Sequence, residues 1–65
     1  MKVYTVRWTK YFVSGNLKGL TYDTSMQFGT LDAACRWISW LHEHIEVPVK
    51  AIGSSDYTCH TARIE

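Results

Sequence analysis

The sequence predicts an α+β domain with the element order β-β-α-β-β, a four-stranded antiparallel sheet carrying one helix on one face. Three observations carry this prediction. Residues 4–12 and 20–28 alternate apolar and polar side chains, the period of a half-buried strand. Residues 31–46 repeat apolar side chains at helical spacing, and turn-forming clusters separate the remaining runs.

In the first strand Tyr4, Val6, Trp8 and Phe12 alternate with Thr5, Arg7, Thr9 and Tyr11. Ser14-Gly15-Asn16-Leu17-Lys18-Gly19 is rich in turn formers, and Leu20, Tyr22, Thr24, Met26 and Phe28 then alternate with Thr21, Asp23, Ser25 and Gln27. Both apolar faces point the same way only if paired positions sum to an even number. A loop centred near Leu17 meets that condition and sets Trp8 opposite Met26 and Val6 opposite Phe28.

The helix is expected over Leu31–Glu46. Thr30 is a suitable N-cap, and Asp32 in the first turn suits the positive end of the helix dipole. At about 100° per residue, Leu31, Ala34, Ile38, Leu41 and Ile45 fall in an arc of about 80°. Trp37 lies at the margin of that stripe. Trp40 lies about 135° from its centre, on the side expected to be polar. Val47 and Pro48 end the helix, because the residue before a proline avoids helical geometry.

Val47–Ile52 and Tyr57–Ile64 read as strands three and four, joined at Gly53-Ser54-Ser55-Asp56. A turn symmetric about Ser54 and Ser55 places Val47, Val49, Ala51, Ala62 and Ile64 on one inner face with Thr58 and His60. The spatial order 2-1-3-4 makes every pairing antiparallel and leaves the aromatic first strand central.

Residues 1–65 form a single compact domain on this reading, with no repeat or linker. At this length only about 60% of the unfolded surface is buried, so three Trp, four Tyr and two Phe supply much of the core. A net charge of +1 argues against binding driven mainly by charge, to duplex nucleic acid or an anionic membrane. No apolar run reaches signal-peptide or membrane-span length, which points to a cytoplasmic protein without a membrane partner. Cys35 and Cys59 are expected as free thiols that fill small apolar sites.

No catalytic, cofactor or metal motif emerges. His42 and His44 point about 200° apart on a helix, and Glu46 stands where a zincin's second histidine belongs. Cys59 and His60, adjacent in a strand, face opposite ways and cannot act as nucleophile and base. Gly15, Gly19, Gly29 and Gly53 are scattered and form no phosphate loop. The expectation is a non-enzymatic chain with no cofactor.

Two binding readings follow. In the first, Trp37, Trp40 and Ala33, with His44 at the margin, form an apolar ridge on the outer helix surface for a protein partner or a second copy. In the alternative, Arg7, Tyr11, Lys50, Tyr57 and Arg63 on the open sheet face hold single-stranded nucleic acid by stacking and phosphate contact. In size and in lacking a catalytic constellation the chain resembles small phage-encoded inhibitors, anti-CRISPR proteins among them. That resemblance of format implies a protein that occupies the surface of a host complex, and it assigns no residue.

Overall fold

The computed structural model describes residues 2–50 and 55–65. Its elements are β1 (Tyr4–Phe12), a single 3₁₀ turn (Gly15–Leu17), β2 (Thr21–Phe28), α1 (Leu31–Glu43) and β3 (Tyr57–Ile64). Among the described residues the sheet has three strands in the order β2-β1-β3, with both pairings antiparallel.

The expected four-stranded sheet of order 2-1-3-4 is therefore corrected. Tyr57–Ile64, expected at the outer edge, pairs directly with β1. Among the described residues, Val47–Ile52 contributes only an isolated bridge, Val49 to Tyr57. Pro48 has no N–H to give a ladder. The Val47 carbonyl is taken by His44 Nδ1 at 2.8 Å, which holds this segment in a turn. Ala51, Ile52, Gly53 and Ser54, and with them most of the expected second turn, lie outside the described residues.

The first hairpin keeps the expected face but not the expected register. Val6 sits opposite Met26 and Trp8 opposite Thr24, each partner two residues earlier in β2 than expected. The 3₁₀ turn moves the loop centre toward Asn16, and the Gly19 amide, at φ 91°, donates to the Phe12 carbonyl at 2.8 Å. Because side chains alternate with period two, the slip leaves the apolar set on its own side.

Val6, Trp8 and Phe12 of β1 are buried, and Val6 and Trp8 join Ala34, Leu41 and Cys59 in one core cluster. The expected inner face of the last strand is corrected as well. Pairing with β1 shifts by one residue between Arg7 and Thr9, and Thr61 has a left-handed φ of 55°. This bulge changes the parity of the strand. Cys59 and Tyr57 therefore face the core with Ala62 and Ile64, while Thr58 and His60 turn to the other face beside Tyr11.

Thr30 caps α1 as expected, its hydroxyl accepting from the Ala33 amide at 3.2 Å. The helix stops at Glu43, short of the expected Glu46, with His44 as its C-cap. Its buried stripe is rotated by roughly 40° toward Trp37, from the angular positions of the packed residues. Ala34 and Leu41 are fully buried, whereas Leu31 and Ile45, expected inside, are 50% and 43% exposed. Among the described residues, no helix is long and apolar enough to cross a membrane.

Candidate functional site

The rotation of α1 follows from volume. Trp37 meets Trp8 of the central strand edge to face, with ring centroids 5.6 Å apart, and tilts against Phe28 of β2 at 6.3 Å. Seating that indole on the sheet turns the next large side chain inward too. Trp40 stacks on Trp37 at 4.7 Å with planes 12° from parallel, and its other side meets the His44 ring at 4.5 Å. The His44 Nδ1 faces a carbonyl, which only accepts, so this nitrogen carries the proton.

Trp37 and Trp40 are thus half-buried residues at the flank of the helix, packed against the core, and the expected ridge on its outer surface is corrected accordingly. Together with Phe28, Ala33 and Arg36 they line an open groove of about 320 Å³. Its floor is apolar. Its rim carries the Arg36 guanidinium, bound to Asp32 at 2.6 Å across one helical turn. The indole N–H groups of Trp8 and Trp37 are buried without an acceptor among the described residues. Each such orphan costs about 1–3 kcal/mol, so ring packing has to outweigh it.

Of the expected ridge residues, Ala33, Trp37 and Trp40 line the groove, and His44 supports it from behind Trp40. Phe28 and Arg36 were not among the expected contact residues. Phe28 carried a signal as the last apolar position before the Gly29-Thr30 helix start. Arg36 carried none beyond its i,i+4 spacing from Asp32.

The residues of the alternative reading are not brought together. Arg7, Tyr11 and Arg63 share the open sheet face, but Arg7 pairs with Glu65 at 2.8 Å and Arg63 lies 3.9 Å from the same carboxylate. Tyr57 faces the core side, packed on Phe12 and lying under the Lys10 ammonium. Lys50 stands outside the sheet, 3.4 Å from Asp56. The open face is instead laced by hydroxyl contacts: Thr9 with Asp23 and Thr61, and Thr58 with His60.

Both cysteines are free, Cys35 exposed and Cys59 buried. Burial pushes the Cys59 thiol up from its ordinary value, against a smaller lowering by Lys10, which suits a filler rather than a nucleophile. Burial likewise raises Tyr57, helped by Cys59. Among the described residues, no group of three or more His, Cys, Asp or Glu side chains is placed to hold a metal ion. The chain matches no protein-family model, no curated protein and no solved structure.

Proposed function

We propose that the chain is a small non-enzymatic protein-binding module, and that the Phe28/Ala33/Trp37/Trp40 groove receives an apolar anchor from a protein partner. The observation that carries this reading is the Trp37–Trp40 stack. It presents two indoles already fixed in place, so little side-chain entropy is lost when a partner docks, and tryptophan is enriched at the energetic centres of interfaces. A groove of about 320 Å³ fits one aromatic or branched aliphatic side chain and its neighbours. Arg36 on the rim, already paired with Asp32, is a residue type also enriched at interfaces.

The inhibitor-like format of the sequence agrees with this mode, in which a small domain blocks another protein's surface by occupying it. A cytoplasmic location belongs to the same reading, since an exposed Cys35 thiol stays reduced there.

Peptide selection from a random library against the purified chain tests the proposal. Selected peptides should share an aromatic or aliphatic anchor, perturb tryptophan fluorescence on binding, and lose at least about tenfold in affinity against Trp40→Ala, which is about 1.4 kcal/mol. Peptides that bind the Trp40→Ala chain as tightly as the parent, with the circular dichroism of the two unchanged, would place the contact elsewhere.

A further inference from the structure

The two edges of the sheet are treated differently. The outer edge of β3 is covered: Val49 and Tyr57 exchange backbone hydrogen bonds at 2.7 and 3.3 Å, and the Cys59 amide donates to the His44 carbonyl at 2.9 Å. The outer edge of β2 has no such cover among the described residues. Thr21–Phe28 also lacks the devices that blunt an edge, having no proline, no lysine and no bulge, and Asp23 is its one charged side chain.

The hydrogen-bonding parity of that edge can be read from β1. The Thr5 carbonyl accepts from Glu65 and the Val13 amide donates to Asp56, so odd-numbered residues of β1 spend their main-chain groups on the β3 side. Even-numbered residues then bond to β2. In the register observed, their partners are Tyr22, Thr24, Met26 and Phe28. Thr21, Asp23, Ser25 and Gln27 are left with N–H and C=O groups aimed outward.

The inner face of this strand is uncovered as well, because α1 lies nearer β3. Leu20, Tyr22 and Met26 are 46%, 47% and 41% exposed. The Cα radius of gyration is 12.5 Å, against about 11 Å for a compact chain of this length.

We infer that β2 pairs antiparallel with β2 of a second copy of this chain, joining two sheets edge to edge about a two-fold axis through Thr24. This inference rests on the strand edge and not on the groove, with which it shares only Phe28. A two-fold normal to the sheet requires the paired positions to sum to an even number, so that inner faces meet inner faces. With the axis at Thr24, the outward groups of Thr21 and Asp23 bond to those of Gln27 and Ser25 of the partner subunit, and the strand is used along its whole length. On the inner face Tyr22 meets Met26 of the partner subunit, a sulfur–aromatic contact, and Leu20 meets the partner's Phe28. Moving the axis to Asp23 would oppose two like charges, and moving it to Ser25 would leave Thr21 unpaired.

Sedimentation equilibrium of the full chain at tens of micromolar should give twice 7.5 kDa. Ser25→Pro removes an outward N–H that the monomer does not use, a position where an edge strand accepts proline. It should give 7.5 kDa with unchanged circular dichroism. Thr24→Cys, in a Cys35→Ser background under oxidised glutathione, should form a covalent dimer, because a non-hydrogen-bonded pair puts Cα atoms about 4.5 Å apart, within disulfide reach. Ser25→Cys in that background should not. A wild-type chain that stays at 7.5 kDa overturns the inference, as does a dimer that Thr24→Cys fails to link. The crosslink decides alone should Ser25→Pro fail to fold.

Discussion

Trp8 of the central strand and Trp37 of the helix meet edge to face with ring centroids 5.6 Å apart, and this contact joins helix to sheet. Trp40 rests on the far side of the same indole. The two helix tryptophans therefore differ in what their loss should do. Trp37→Ala removes a ring packed on Trp8, Phe28 and Trp40 and should cost about 3–5 kcal/mol. Trp40→Ala removes the outer member of the stack and should cost about 1 kcal/mol. Urea denaturation of both variants checks the order, and equal losses would contradict it.

Thr61 holds a φ of 55° in the middle of β3, a conformation unfavourable for a β-branched residue. Asparagine tolerates this region better and keeps a polar group within reach of Thr9. Thr61→Asn should raise stability by about 0.5–1 kcal/mol, or several degrees in Tm. An unchanged or lowered Tm in calorimetry would show that the two hydroxyl contacts of Thr61, to Thr9 and to the His60 carbonyl, outweigh the strain.

The cysteines should separate kinetically. Cys35 is exposed and should react with Ellman's reagent at the rate of a free thiol, whereas Cys59, 1% exposed, should react only as the chain opens. Stopped assays with and without denaturant count the thiols. Two fast thiols in the native chain would mean that β3 does not shield Cys59.

Stability should fall at alkaline pH. Burial favours the neutral forms of Cys59 and Tyr57, so the folded chain keeps both protons to higher pH than the unfolded chain does. The unfolded chain then binds fewer protons above the ordinary thiol value near 9.0 and the ordinary phenol value near 10.0. The resulting slope is negative. The contribution is complete below those values and is lost as pH rises from them through the raised values of the folded chain. Urea midpoints at pH 7, 9 and 10 read this out, and Cys59→Ala should flatten the first part of the decline.

Much of this fold is legible locally. The alternations of Tyr4–Phe12 and Thr21–Phe28 mark the first hairpin, and Thr30 marks the start of the helix, because strand period and N-cap chemistry depend on near neighbours. What is not legible depends on contacts distant in sequence. The bulge at Thr61 reverses the face of Thr58 and His60, and no residue near it signals a left-handed turn. The Val47–Ile52 run has strand composition, yet among its described residues the His44 ring takes the Val47 carbonyl and Pro48 has no N–H to give.

The groove was legible in part. Trp37, Trp40 and Ala33 stand out by helical angle, but that angle assumes the stripe centre defined by Leu31 and Ile45, which the structure leaves exposed. The orientation of the helix is set by fitting Trp37 between Trp8 and Phe28, a volume match across elements that periodicity does not contain.

Site-specific photocrosslinking decides whether a protein partner docks over Trp37 and Trp40. With a benzophenone side chain at Arg36, on the groove rim, irradiation in the protein's native lysate should yield a discrete protein adduct that disappears when Trp40→Ala is added. An adduct of twice the chain's own mass would report the β2-paired dimer and not a partner, whereas an adduct that survives Trp40→Ala, or none above the level of a control probe at Thr5 on the opposite sheet face, would contradict it.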